Sequence, residues 1–103
     1  MKAIEIPIAS SVPHFVQENA IFEERFFLEF EWIEREAFWM LHIGDSFDKA
    51  LASGMRLQAD WPLYTHYGVS MPFRLFLHAK TRASLLSLNS LSQNFFLVAY
   101  EAL

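Results

Sequence analysis

At 103 residues, with 53% hydrophobic and 19% charged side chains, the chain is long enough for one core and too short for two. The absence of cysteine excludes a disulfide framework or a thiolate metal site, and fits folding in a reducing cytoplasm. The formal charge of −4, with eight scattered Lys and Arg, argues against binding nucleic acid through its phosphates, which needs a basic stripe.

The chain opens MKAIEIPIASS, in which single apolar residues alternate with others instead of forming the continuous run of a signal peptide. No apolar run approaches the ~18 residues that a membrane-spanning helix needs. Ala3–Ile8 predicts a half-buried strand with Ile4, Ile6 and Ile8 on one side. Pro7 cannot donate to a ladder, which places this strand at a sheet edge. Ser10–Pro13 reads as a loop, and a short strand near Phe15–Gln17 is expected to break at Glu18-Asn19.

Ile21–Ile33 supports two readings. As a strand it puts Phe26, Leu28, Phe30 and Trp32 on one face; as a helix it puts Phe22, Phe26, Phe30 and Ile33 in a stripe. The strand fits better, because period two persists through FLEFEW and aromatic residues favour pleated surfaces. Phe38–Gly54 then predicts a strand with Trp39, Leu41 and Ile43 inward, a reversal at Gly44-Asp45-Ser46, and a return arm closed by Gly54. Asp60–Tyr64 and a turn at Gly68 follow. Pro72–His78 alternates Phe73, Leu75 and Leu77 against Arg74, Phe76 and His78. Ser84–Gln93 spaces Leu85, Leu88 and Leu91 by three, which suits one helical turn, and Asn94–Glu101 reads as the closing strand. The expected fold is therefore one all-β, mainly antiparallel domain over residues 1–103, a small barrel or sandwich with at most one short helical turn.

Chemistry is sparse in this pattern. None of His14, His42, His66 and His78 is spaced i, i+4 as a helical zinc site requires, although His42 and His78 on outward strand faces can be imagined as a cross-strand pair. Asp45 and Asp48 in DSFDK lack the alternating ligands, central Gly and closing Glu of a calcium loop. Glu29 and Glu31 share one strand face and read as a solvated or partner-facing edge, since paired glycosidase carboxylates need a cleft. Ser10, Ser11, Ser46 and Ser53 stand outside any nucleophile elbow, and three glycines make no phosphate loop. The expectation is no catalytic residue, no metal and no cofactor.

The aromatic content is more telling. Eleven Phe, three Trp and three Tyr exceed what so small a core can enclose, so some must face a partner. The outward phase of the predicted strands selects Phe27, Phe38, Met40, Phe76 and Phe96 as protein-interface residues.

The start MKAIEIPI, the strand Trp39-Met40-Leu41-His42-Ile43 with Asp45 in the turn after it, the spacing Leu51, Gly54, Leu57 and the closing Leu97-Val98-Ala99-Tyr100-Glu101 together resemble the phage baseplate plug family of contractile-tailed bacteriophages. The chain departs from that pattern where Ser46 replaces a Gly after the turn Asp, and where Glu34-Arg35-Glu36 replaces a glycine-rich hairpin. The resemblance implies a non-enzymatic virion component in the tail baseplate, assembled in the host cytoplasm near the hub, inner tube and spike, in several copies, without a nucleic-acid-specific or membrane role. The alternatives from the residues alone are a small aromatic-faced module for a peptide or sugar and, less economically, a minor enzyme using His42, His78 and carboxylates.

Overall fold

The computed structural model describes residues 3–47, 50–58, 73–80 and 86–101. Among the described residues, seven strands and one helical turn follow in the order β1 (Ala3–Ile6), β2 (His14–Ile21), β3 (Glu24–Ile33), β4 (Phe38–Asp45), β5 (Ala50–Arg56), β6 (Phe73–Ala79), α1 (Leu91–Asn94) and β7 (Phe95–Glu101). They form two antiparallel sheets, a four-stranded meander β2-β3-β4-β5 and a three-stranded sheet β1-β7-β6. The fold is all-β, and among the described residues the sheets do not close into a barrel. β1 takes the edge position that Pro7 predicts, ending at Ile6 just before it.

Period two decides the interior. Phe26, Leu28 and Phe30 of β3, Trp39, Leu41 and Ile43 of β4, Phe73, Leu75 and Leu77 of β6, and Phe95, Leu97 and Ala99 of β7 are all buried in one cluster. Ring contacts carry the packing between sheets: Phe26 meets Phe73 edge-on at 5.1 Å. Within the meander Phe15 stacks on Phe30 at 4.7 Å, and Trp32 meets Trp39 edge-on at 5.6 Å. The indole N–H of Trp39 donates to the Ser87 carbonyl at 3.0 Å, so its one polar atom is satisfied inside the core.

Connections between the sheets are polar clasps. The Gln17 side chain accepts from the Ala9 N–H at 2.9 Å and donates to the Pro7 carbonyl at 3.0 Å, fastening the chain after β1 to β2. Ser11 Oγ accepts from the Ser92 N–H at 2.9 Å, tying the loop before β2 to α1.

Several local expectations need correction. β2 does not break at Glu18-Asn19 but runs on to Ile21, and the chain reverses at Phe22-Glu23. Both turn residues have positive φ, 48° and 72°, the signature of a type I′ hairpin that Asn-Gly normally announces. β4 likewise continues through Gly44 to Asp45, so the chain turns at Ser46-Phe47, at the far end of the expected Gly44-Asp45-Ser46 reversal. Gly54 does not end the return arm: it sits inside β5 at φ +70°, where the register shifts so that Ser53 and Gly54 together oppose His42. An added Cβ there would meet nothing within 4 Å, so the dihedral and not space requires glycine. His42 and His78 lie in different sheets and form no cross-strand pair. The expected Asp60–Tyr64 segment, the turn at Gly68, and Asp48 and Leu85 lie outside the described residues.

The Phe22-Glu23 turn makes a stability prediction. A side chain held in the left-handed region costs about 1–3 kcal/mol, whereas glycine there loses part of that gain to its unfolded-state entropy. Glu23→Gly should therefore raise the melting temperature by roughly 2–6 °C, a gain of about 0.5–1 kcal/mol. A thermal melt followed by circular dichroism checks it, and a lower midpoint would show that the turn is unstrained.

Candidate functional site

Alternation that buries one face of each strand leaves the other outward, and the two sheets turn those faces in opposite directions. On the meander, register sets the outward side chains in rows: Glu18, Phe27 and Gly44; Val16, Glu29 and His42; His14, Glu31, Met40 and Arg56; Ile33 and Phe38. Apolar and ionisable groups thus alternate across this surface. Phe27 is 38% and Val16 55% exposed. Phe38 is half-buried beneath the Arg56 guanidinium, which stands 4.7 Å over its ring.

Diagonal pairs stitch the polar positions together. His14 Nε2 bonds Glu29 Oε2, and His42 Nε2 lies 3.5 Å from Glu31 Oε1. The Gly54 N–H donates to His42 Nδ1 at 3.0 Å, so the bulge of β5 orients that ring with its other nitrogen toward the carboxylate. Among the described residues no three His, Cys, Asp or Glu side chains are grouped to hold a metal ion. Between Val16, Phe27, Glu29, His42, Gly44 and Ser53 runs an open groove of about 430 Å³, where Gly44 leaves Phe27 without a side chain opposite it on β4.

The outer face of the three-stranded sheet is a tighter aromatic cluster. Phe76 stacks on His78 at 6.0 Å and meets Tyr100 edge-on at 5.4 Å, and His78 lies 5.7 Å from Phe96. Phe76 and Phe96 are half-buried, and Arg74 is exposed beside them. The five sequence-selected residues are therefore divided, Phe27, Phe38 and Met40 on one face and Phe76 and Phe96 on the other.

Glu29 and Glu31, read as a solvated or partner-facing edge, stay partly exposed and face histidines, but they stand on β3, an interior strand of the meander and not an edge. Asp45 Oδ1 accepts from the Phe47 N–H at 2.9 Å. That last bond belongs to a feature the sequence pattern did not mark. Phe47, inside the polar run DSFDK, is 88% exposed at the turn after β4. Its only signal in the sequence is an aromatic residue where turn chemistry calls for polar ones.

No curated protein matches this chain. Residues 3–102 match the protein family described as Cyanophage baseplate Pam3 plug gp18, a match that takes in both sheets and both outer faces. With nearly the whole length covered, the chain belongs to this cyanophage baseplate plug family.

Proposed function

We propose that this chain is a non-catalytic structural part of a contractile tail baseplate, one β domain packed as a plug between the hub and the inner-tube region, in several copies and assembled in the host cytoplasm. Family membership makes it a component of the phage tail that meets other baseplate proteins. The observation that carries the finer reading is the pair of opposed outer faces, each holding large apolar side chains that the core does not enclose. Phe27 is exposed and Phe38 and Met40 half-buried on one surface, and Phe76 and Phe96 are half-buried on the other. A protein wedged between neighbours buries both.

The test uses one substitution on each face. Phe38→Asp and Phe76→Asp should each leave a folded isolated protein with a melting temperature within a few degrees of wild type, and each should abolish incorporation into baseplates. Incorporation is read from purified virions of a phage lacking this gene and supplied with each variant from a plasmid. If both variants unfold, these rings belong to the core and the reading fails; normal incorporation of both sinks it equally. The groove beside Phe27 keeps the peptide- or sugar-binding alternative concrete. Size-exclusion chromatography over a concentration series separates the two, since a ligand module stays monomeric where a baseplate component self-associates or needs its neighbour for solubility.

A further inference from the structure

At one end of the meander the β2–β3 turn and the turn after β4 lie side by side around a shallow depression lined by Glu23, Glu24, Arg25, Asp45, Ser46 and Phe47. Phe47 is 88% exposed, against 38–55% for the other exposed large hydrophobics among the described residues, Val12, Val16 and Phe27. Its position is set by more than chance: its N–H is held by Asp45 Oδ1, an Asx turn that fixes the backbone carrying the ring. Among the described residues that line the depression, Glu23 and Glu24 stand beside one guanidinium, and that group, on Arg25, is bonded to Glu18 at 2.7 Å.

We infer that Phe47 is an anchor that inserts into an apolar pocket on a neighbouring baseplate protein, and that Lys or Arg side chains on the rim of that pocket face Glu23 and Glu24. An aromatic side chain on a pre-set turn, ringed by charge, has the make-up of an interface hot spot: the ring gives burial and the surrounding charges give orientation and encounter rate. The open groove on the meander of a second copy is a poor recipient: the described residues that line it include Glu29 and no Lys or Arg, so it would repel the acidic turn. The inference rests on the chain being a baseplate component but not on the two sheet faces, since Phe47 belongs to neither.

The experiment follows incorporation in virions of the gene-deleted phage supplied with Phe47→Ser, Phe47→Leu or the double variant Glu23→Lys/Glu24→Lys, with the melting temperature of each isolated protein measured alongside. Phe47→Ser should leave melting unchanged and lower incorporation at least tenfold; Phe47→Leu, which keeps an apolar anchor, should retain most of it. The double lysine variant should also fall. Wild-type incorporation of Phe47→Ser, or a clear drop in its melting temperature, overturns the anchor, and wild-type incorporation of the double variant overturns the basic rim. Phe38→Asp run in parallel separates the two readings. Loss with Phe38→Asp alone removes this inference and keeps the sheet-face reading, and loss with Phe47→Ser alone does the reverse.

Discussion

Trp39→Ala is expected to remove about 3–5 kcal/mol of folding stability, the usual cost of truncating a fully buried large aromatic. Trp39 has no exposed surface, touches both Phe15 and Trp32 through its ring, and spends its indole N–H on the Ser87 carbonyl. Truncation leaves a cavity and strips that carbonyl of its donor, two penalties that act in the same direction. Against a total of ~5–15 kcal/mol for an ordinary domain this is a large share. It corresponds to a fall in melting temperature of at least ~12 °C. Trp39→Phe keeps most of the ring volume and loses the hydrogen bond, so it should fall between wild type and alanine. Urea denaturation followed by far-ultraviolet circular dichroism checks the order, and a midpoint unchanged by Trp39→Ala would refute the packing described for β4.

Where one strand alone decides a side chain's direction, the sequence pattern was sufficient. Alternation placed Trp39, Leu41 and Ile43, then Phe73, Leu75 and Leu77 on one face of each strand, and all six are buried. From Glu24 on, the ambiguous stretch Ile21–Ile33 also resolves as a strand, for the reason that favoured it: Phe26, Leu28 and Phe30 face the core while Arg25, Phe27, Glu29 and Glu31 face away. Turn positions were less legible, because their usual markers are missing. Phe22 and Glu23 adopt positive φ without glycine or asparagine, so the polar pair Glu18-Asn19 drew the break to the wrong place. Gly54 misled in the opposite sense, a turn-like residue that in fact serves a bulge.

What joins the sheets was not legible at all, since it depends on pairings between distant parts of the chain. Nothing local says that β1 pairs with β7 or that β6 lies in the sheet without β4. The separation of His42 from His78, and the division of five outward candidates into two opposed groups, both follow from that topology. This division matters for the biology of a plug. The two faces differ in chemistry, one an alternation of apolar groups with His–Glu pairs and the other a run of aromatic contacts, and the proposed packing between neighbours would use both.

Two adjacent substitutions in β3 should give opposite results, and together they test the frame on which both faces depend. Leu28 is fully buried at the centre of the meander, paired with Gln17 on one side and Ile43 on the other. Leu28→Lys puts an ammonium group where no described residue offers it a carboxylate within the core, since the buried residues of that cluster are all apolar. The effective cost of such an unpaired charge is several kcal/mol, enough with the lost leucine packing to leave a domain of ~5–15 kcal/mol largely unfolded. Phe27, one residue earlier, points outward and sits across from Glu18 and Gly44. Phe27→Lys faces water and a carboxylate of opposite sign, so the isolated protein should keep its stability to within ~1 kcal/mol. Soluble yield and urea midpoints of the two variants decide the matter. Because strand side chains alternate strictly, a register displaced by one residue would interchange the two outcomes. An intact Leu28→Lys beside a collapsed Phe27→Lys would therefore invert every inward and outward assignment made for β3, and with it the surface offered to the rest of the baseplate.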